Sequence, residues 1–128
     1  MADSFYSSLL LSHYHSPHNY GLMEDFDMEA KGENRICGDS ITMRLKFDHE
    51  RIGAVSFEHE GCVVSRAAAS LLSEHIQGKI KSEILNLAPD EVLAFLQAPI
   101  RPSRVSCALL GWETIRNFGI RGLRKTPH

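Results

Sequence analysis

Ile41-Thr42-Met43-Arg44-Leu45-Lys46-Phe47 alternates apolar and polar residues at every step. Side chains on a strand point to opposite faces in turn. Ile41, Met43, Leu45 and Phe47 therefore share one face, and Thr42, Arg44 and Lys46 the other. Residues 54–60 alternate again, with Val55 and Phe57 to one side. Residues 48–53 between them, Asp-His-Glu-Arg-Ile-Gly, read as a turn. The two strands make an antiparallel hairpin with one wet face, and something must cover the other. Residues 23–30 alternate weakly and are read as an edge strand.

The cover is helical. Residues 63–77 are rich in alanine and leucine, and Gly78 suits a stop. Residues 82–87 form a second short helical stretch. Pro89 suits the first turn of a third helix over 89–97, with Val92, Leu93 and Leu96 as its apolar side. Residues 98–103 carry two prolines and read as a linker. Ser103 is expected to cap a last helix over 104–117, in which Leu109, Leu110, Trp112 and Ile115 repeat helically. Ahead of the sheet, Phe5, Leu9 and Leu10 predict a short helix over 3–13, capped by Asp3 or Ser4. Residues 16–21 follow as an ordered loop. The expected fold class is α+β: a small antiparallel sheet of about three strands with helices packed on one face. Residues 1–128 are read as one domain, with a frayed tail after about residue 118.

Bulk composition narrows the function. Of 128 residues, 43% are hydrophobic and 23% charged, and the net charge is -2. A basic excess of the kind nucleic-acid binders carry is lacking, and Arg116, Arg121, Arg124 and Lys125 read as a solvated tail. No run nears the roughly 20 apolar residues that span a bilayer, and no signal peptide is seen at the N-terminus. No nucleic-acid or membrane partner is expected. Three widely spaced cysteines are a poor disulfide framework and suggest reduced thiols in the cytoplasm.

Those cysteines fall at element boundaries. Cys37-Gly38-Asp39 precedes the strand at Ile41, and Gly38 lets the backbone turn so that a thiolate and a carboxylate can aim at one point. Gly61-Cys62 lies where the second strand gives way to the long helix. A helix N-terminus lowers a thiol's pKa, so Cys62 is expected to be thiolate-rich. Cys107 falls in the first turn of the last helix, one turn after Arg104. Thiolates repel one another unless a cation gathers them, and zinc and iron–sulfur clusters both take such donors. Buried cysteine is also a small hydrophobe. Composition and spacing leave a metal or thiol site and three structural cysteines as open alternatives.

Histidines add less. The spacing of His13, His15 and His18 suits no helical face, so packing and loop hydrogen bonds are expected of them. Tyr14 and Asn19 are read as fixing that loop, and His75 as lying at the core edge or in solvent. His59 is read as a surface imidazole, with its approach to the site left open. A Cys–His hydrolase built on Cys62 has no evident orienting partner.

The combination of motifs resembles the IscU/NifU-type iron–sulfur scaffold family, including its SufU branch. Tyr14-His-Ser-Pro17-His-Asn19-Tyr-Gly21, preceded by His13, is similar to the family's His-Tyr-x-x-Pro-x-Asn-x-Gly segment. Cys37-Gly-Asp39, Gly61-Cys62 and Arg104-Val-Ser-Cys107 resemble its three cysteine motifs in order. The resemblance implies that Cys37, Asp39, Cys62 and Cys107 are ligands of a transient [2Fe–2S] cluster, or of zinc in the cluster-free form. It implies a cysteine desulfurase as sulfur donor, with Cys107 as persulfide acceptor and Arg104 as electrostatic support, and apo iron–sulfur proteins as acceptors. A weakly bound carboxylate, Asp39, would keep the cluster easy to release. The alternatives are a zinc-dependent sulfur acceptor of SufU type that activates the desulfurase, and a structural zinc protein. Ser106 stands where IscU members have histidine. Ala98-Pro-Ile-Arg-Pro-Ser103 replaces their Leu-Pro-Pro-Val-Lys chaperone segment, which speaks against a dedicated Hsp70 chaperone. Both features lean to SufU, while the short interval from Cys62 to Cys107 does not.

Overall fold

The structure is a computed structural model that describes residues 8–97 and 99–120. The chain runs α1 (Ser8–His15), β1 (Met28–Asn34), β2 (Asp39–Asp48), β3 (Arg51–Glu60), α2 (Val63–Ile76), α3 (Lys81–Leu85) and α4 (Pro89–Ala94). A 3-10 turn at Pro102–Arg104 then leads into α5 (Val105–Ala108), α6 (Leu110–Thr114) and a π-helical turn, Ile115–Ile120. The sheet has the order β1-β2-β3 and is antiparallel throughout. The fold is α+β with a three-stranded sheet, as the hairpin pattern predicts.

The alternation of β2 sets the layers. Ile41, Met43 and Leu45 are buried, and their partners Phe57 and Val55 on β3 and Met28 and Ala30 on β1 share that face. α2 and α6 cover it with Ala69, Leu72, Ile76, Leu110 and Trp112. A second apolar cluster lies behind α2, where Leu10 of α1 meets Val64, Ala67, Ala68 and Leu71, with Leu96 and Ala108. α2 is thus buried nearly all round, as a helix between two layers must be. Among the described residues no helix is long and apolar enough to cross a membrane.

Several boundaries differ from the sequence reading. The edge strand is Met28–Asn34 rather than 23–30. Residues 23–27 instead lie over the outer face, which is therefore only partly wet. There Met23 O accepts from Arg44 at 3.0 Å, Phe26 stacks on the Arg44 guanidinium at 4.3 Å, and Asp25 pairs with Lys46 at 3.0 Å. Lys31-Gly-Glu-Asn34 reads as polar because β1 has few inward positions to fill. Gly32 takes one of them, and a Cβ there would sit 2.0 Å from Thr114 Oγ1. The hairpin turn is shorter than 48–53: His49 and Glu50 make it, with His49 at φ 59°. Gly53 is absorbed as an irregularity between Lys46↔Ala54 and Phe47↔Ile52.

The helices also shift. α1 runs on to His15, and residues 3–7, with the expected caps Asp3 and Ser4, lie outside the described residues. α4 stops at Ala94 instead of 97. Ser103 sits inside the 3-10 turn, so the residue preceding α5 is Arg104, without a side-chain cap. The last helix is broken at Leu109 (φ -93°, ψ -3°) instead of continuous. The tail residues 121–128, with Arg121, Arg124 and Lys125, lie outside the described residues. Asn19 does fix the N-terminal loop. Its O accepts from Phe57 N at 3.0 Å and its Nδ2 donates to Ser73 Oγ at 2.9 Å. With Gly21 N donating to Phe57 O at 2.8 Å, the loop covers the free edge of β3.

Candidate metal and sulfur site

Three chain segments meet at one end of the sheet. The first is the turn between β1 and β2. Asn34 Oδ1 accepts the backbone N–H of Ile36 at 3.1 Å and of Cys37 at 3.3 Å, the side-chain turn that asparagine forms readily. Asn34 Nδ2 donates to Ser106 Oγ at 2.9 Å, tying the turn to α5. Gly38, at φ +74°, then swings the chain into β2 in a conformation costly for other residues. Ile36 stands at the tip of this turn, 94% exposed.

Asp39 opens β2 and is only 2% exposed. A buried carboxylate needs donors, and the second segment supplies them. Cys62 N donates to Asp39 Oδ1 at 2.7 Å, and Cys62 Sγ donates to Oδ2 at 3.4 Å. Gly61, at φ +140°, makes this approach possible, since a Cβ there would lie 1.9 Å from Asp39 Oδ1. Cys62 is the N-cap of α2, its sulfur accepting from Ser65 N at 3.4 Å.

The third segment brings Cys107, fully buried in α5. Cys37 and Cys107 are joined as a disulfide across a Cα separation of 6.8 Å. The ligand atoms of Cys37, Asp39 and Cys107 all lie within 4.8 Å of one another. The four residues singled out in the sequence thus assemble in one place, Cys62 joining through its two bonds to Asp39. Arg104 borders the site, and its charge favours the Cys62 thiolate.

Three expectations are corrected. Cys37 and Cys107 are paired, although their separation of 70 residues argued against a disulfide framework. Both side chains are aimed at one point from adjacent segments, within the span a disulfide tolerates. Cys62 is not thiolate-rich: burial pushes its pKa up and Asp39 adds to this, outweighing the Ser65 N–H. His59 is not a surface imidazole but is 3% exposed, on the same face as Phe57 and opposite Ile41. Arg66 donates to its Nδ1 at 3.4 Å and to its carbonyl at 3.2 Å. Its Nε2 is buried with no hydrogen-bond partner among the described residues. Burial and the Arg66 cation pull its pKa down to about 4.

The sequence reading missed two supporting roles. Asn34 carries the signal of an Asx turn three residues before Cys37, but its second bond, to Ser106, is visible only in the fold. Gly61 was noted beside Cys62, yet its need for space comes from Asp39, far away in sequence.

Three sulfurs and one carboxylate oxygen make a donor set that suits tetrahedral zinc or an iron–sulfur cluster. The cysteines hold such a group only as thiolates, so the disulfide and the loaded form exclude each other.

Comparison with known proteins agrees with this picture. The family model of the NifU-like N-terminal domain matches residues 5–124. The chain is 27% identical over 130 residues to the zinc-dependent sulfurtransferase SufU of Bacillus subtilis, with 88% of each chain covered. It is 31% identical over 127 residues to the iron–sulfur cluster assembly scaffold protein IscU of Thermotoga maritima, covering 87% of this chain and 89% of that one. The crystal structure of a NifU-like N-terminal protein from Brucella abortus superposes with a TM-score of 0.81 over 98% of this chain and 99% of that one. Its 18% identity speaks to the fold alone. The chain belongs to the NifU-like N-terminal domain family.

Proposed function

We propose that this chain is an iron–sulfur cluster assembly scaffold. In this reading it accepts sulfur from a cysteine desulfurase, assembles a [2Fe–2S] cluster on Cys37, Asp39, Cys62 and Cys107, and passes it to apo acceptor proteins. The observation that carries it is the convergence of Cys37, Asp39 and Cys107 within 4.8 Å, with Cys62 bonded to the same carboxylate. The relatives named as iron–sulfur scaffolds support it. The whole of 1–128 is read as one scaffold domain, working in the reducing cytoplasm without a dedicated Hsp70 partner.

Sulfur acceptance is a thiol exchange. The Cys107 thiolate attacks the outer sulfur of the desulfurase persulfide. A new S–S bond forms on Cys107, the old one breaks, and the donor cysteine leaves as thiolate. Arg104, beside the site, offsets the negative charge that gathers during the exchange. Iron(II) and an external reductant supply the two electrons that take each sulfane sulfur to sulfide. Asp39 is the weakest ligand of the four for iron, which makes the cluster easy to hand over.

A second reading is favoured by the Bacillus relative, named a zinc-dependent sulfurtransferase, and by Ser106, whose hydroxyl is engaged with Asn34. Here the same residues hold zinc, and a cysteine leaves it to take sulfur and activate the desulfurase. Anaerobic reconstitution with iron and sulfide separates the two. The scaffold reading expects visible absorption and two irons per chain, and a colourless product contradicts it. The zinc reading expects desulfurase turnover to rise several-fold on adding the protein, and an unchanged rate contradicts it.

A further inference from the structure

Cys62 caps the start of α2, and near the other end of that helix the N-terminal segment and Glu74 bring together a second set of ligand atoms. His13 lies near the end of α1, His18 in the following loop, and Glu74 on α2. One ligand atom from each lies within 4.8 Å of the other two. We propose that His13, His18 and Glu74 form a second metal site, specific for a borderline divalent transition ion such as zinc, cobalt, nickel or iron(II).

The chemistry of the donors points to that class. Two imidazoles and one carboxylate, with a fourth position open to water, are a common zinc-type set, and imidazole suits these ions far better than magnesium or calcium. The geometry agrees. His13 Nε2 and Glu74 Oε1 are 3.6 Å apart, too long for a hydrogen bond. Two donors at ~2.0–2.1 Å from one tetrahedral ion lie about 3.4 Å apart. His18 Nδ1 meets the other oxygen, Oε2, at 2.5 Å, where an N–H donates to the carboxylate. An ion that displaces this proton must part the two groups, and both are free to move, since their side chains are half-exposed.

The site is also built from behind. His13 is 4% exposed, and its Nδ1 is 2.6 Å from Ser70 Oγ. The same hydroxyl accepts the His18 backbone N–H at 2.7 Å. One serine thereby orients both histidines, as hydrogen bonds from behind hold metal-bound imidazoles. Ser70 holds Nδ1 and so leaves Nε2 facing the Glu74 carboxylate, 3.6 Å from Oε1, where a bridging cation fits. The sequence reading gave these histidines to packing because no helical spacing relates them. The loop between them turns at Ser16-Pro17 and folds His18 back onto α2. A bound ion would pin α1 and this loop to α2.

Titration of the reduced full-length protein with cobalt(II), without oxygen, tests the proposal. Thiolate-to-cobalt charge transfer reports the cysteine site. A second equivalent that adds d–d absorption without charge transfer reports the histidine site. His18→Ala changes a half-exposed loop residue, so it leaves folding intact. It should weaken the second equivalent at least tenfold and leave the charge-transfer band unchanged, and Glu74→Gln should do the same. Zinc should raise the melting temperature of wild type more than that of His18→Ala. A wild type with no second equivalent, or variants that keep it, overturns the proposal. So does a loss that follows His15→Ala instead of His18→Ala. Absence of charge transfer would count against the cysteine-site reading and leave this one standing.

Discussion

Asp39 carries two loads that its position makes inseparable. As a ligand it loosens what the thiolates hold, and as a buried acceptor it receives the Cys62 N–H at 2.7 Å. Asp39→Ala strands that buried amide, so stability should drop by about 1–3 kcal/mol in denaturant melts. The same variant should retain a reconstituted cluster longer and transfer it more slowly to an apo acceptor. Equal or faster transfer would dismiss the labile-ligand idea while leaving the structural loss intact. His59 sets a pH dependence. Its folded pKa, about 4, lies below the unfolded value of 6.5. The unfolded chain therefore takes up a proton first as pH falls. This contribution to stability is complete above pH 6.5 and is lost between pH 6.5 and 4, on the order of 2–3 kcal/mol in all. His13, also lowered by burial, acts with the same sign. Urea midpoints across that window should slope less steeply in His59→Gln than in wild type; parallel slopes would refute the assignment.

At the scale of elements, the site depends on how two turns are fastened. Asn34 closes the Cys37 turn and reaches Ser106 on α5 with its other end. Asn34→Ala should cut metal affinity by about tenfold, as losses of outer-shell partners do, with the fold retained because the residue lies near the surface. Affinity unchanged under competition with a chelator would make the clasp incidental. Elements were legible where one physical demand dominated. β2 could be read because its side chains face a core on one side only, and α2 because Ala and Leu fill nearly every turn. β1 could not, since it sits at an edge and one inward place is held by Gly32 against Thr114. The break at Leu109 was equally hidden, because the apolar repeat of Leu110, Trp112 and Ile115 continues through it.

For the molecule as a whole, the cysteines' meeting place was legible only in outline. Cys37, Cys62 and Cys107 each stand at an element boundary, and the likeness of their motifs to a known family suggested that they converge. How Asp39 binds Cys62 through space vacated by Gly61, and how Ser70 gathers His13 and His18, depend on contacts between distant segments that no local pattern encodes. The oxidised pair makes a further global prediction. Because Cys37 and Cys107 cannot be both disulfide and ligand, metal uptake at the cysteine site should require prior reduction, and thiolate-to-metal charge transfer should vanish in protein oxidised before loading. The central claim is most directly tested by X-ray absorption at the zinc edge of reduced protein carrying less than one zinc per chain. The zinc should be bound by three sulfurs and one oxygen. Zinc bound without sulfur, or no retained zinc, would contradict that claim.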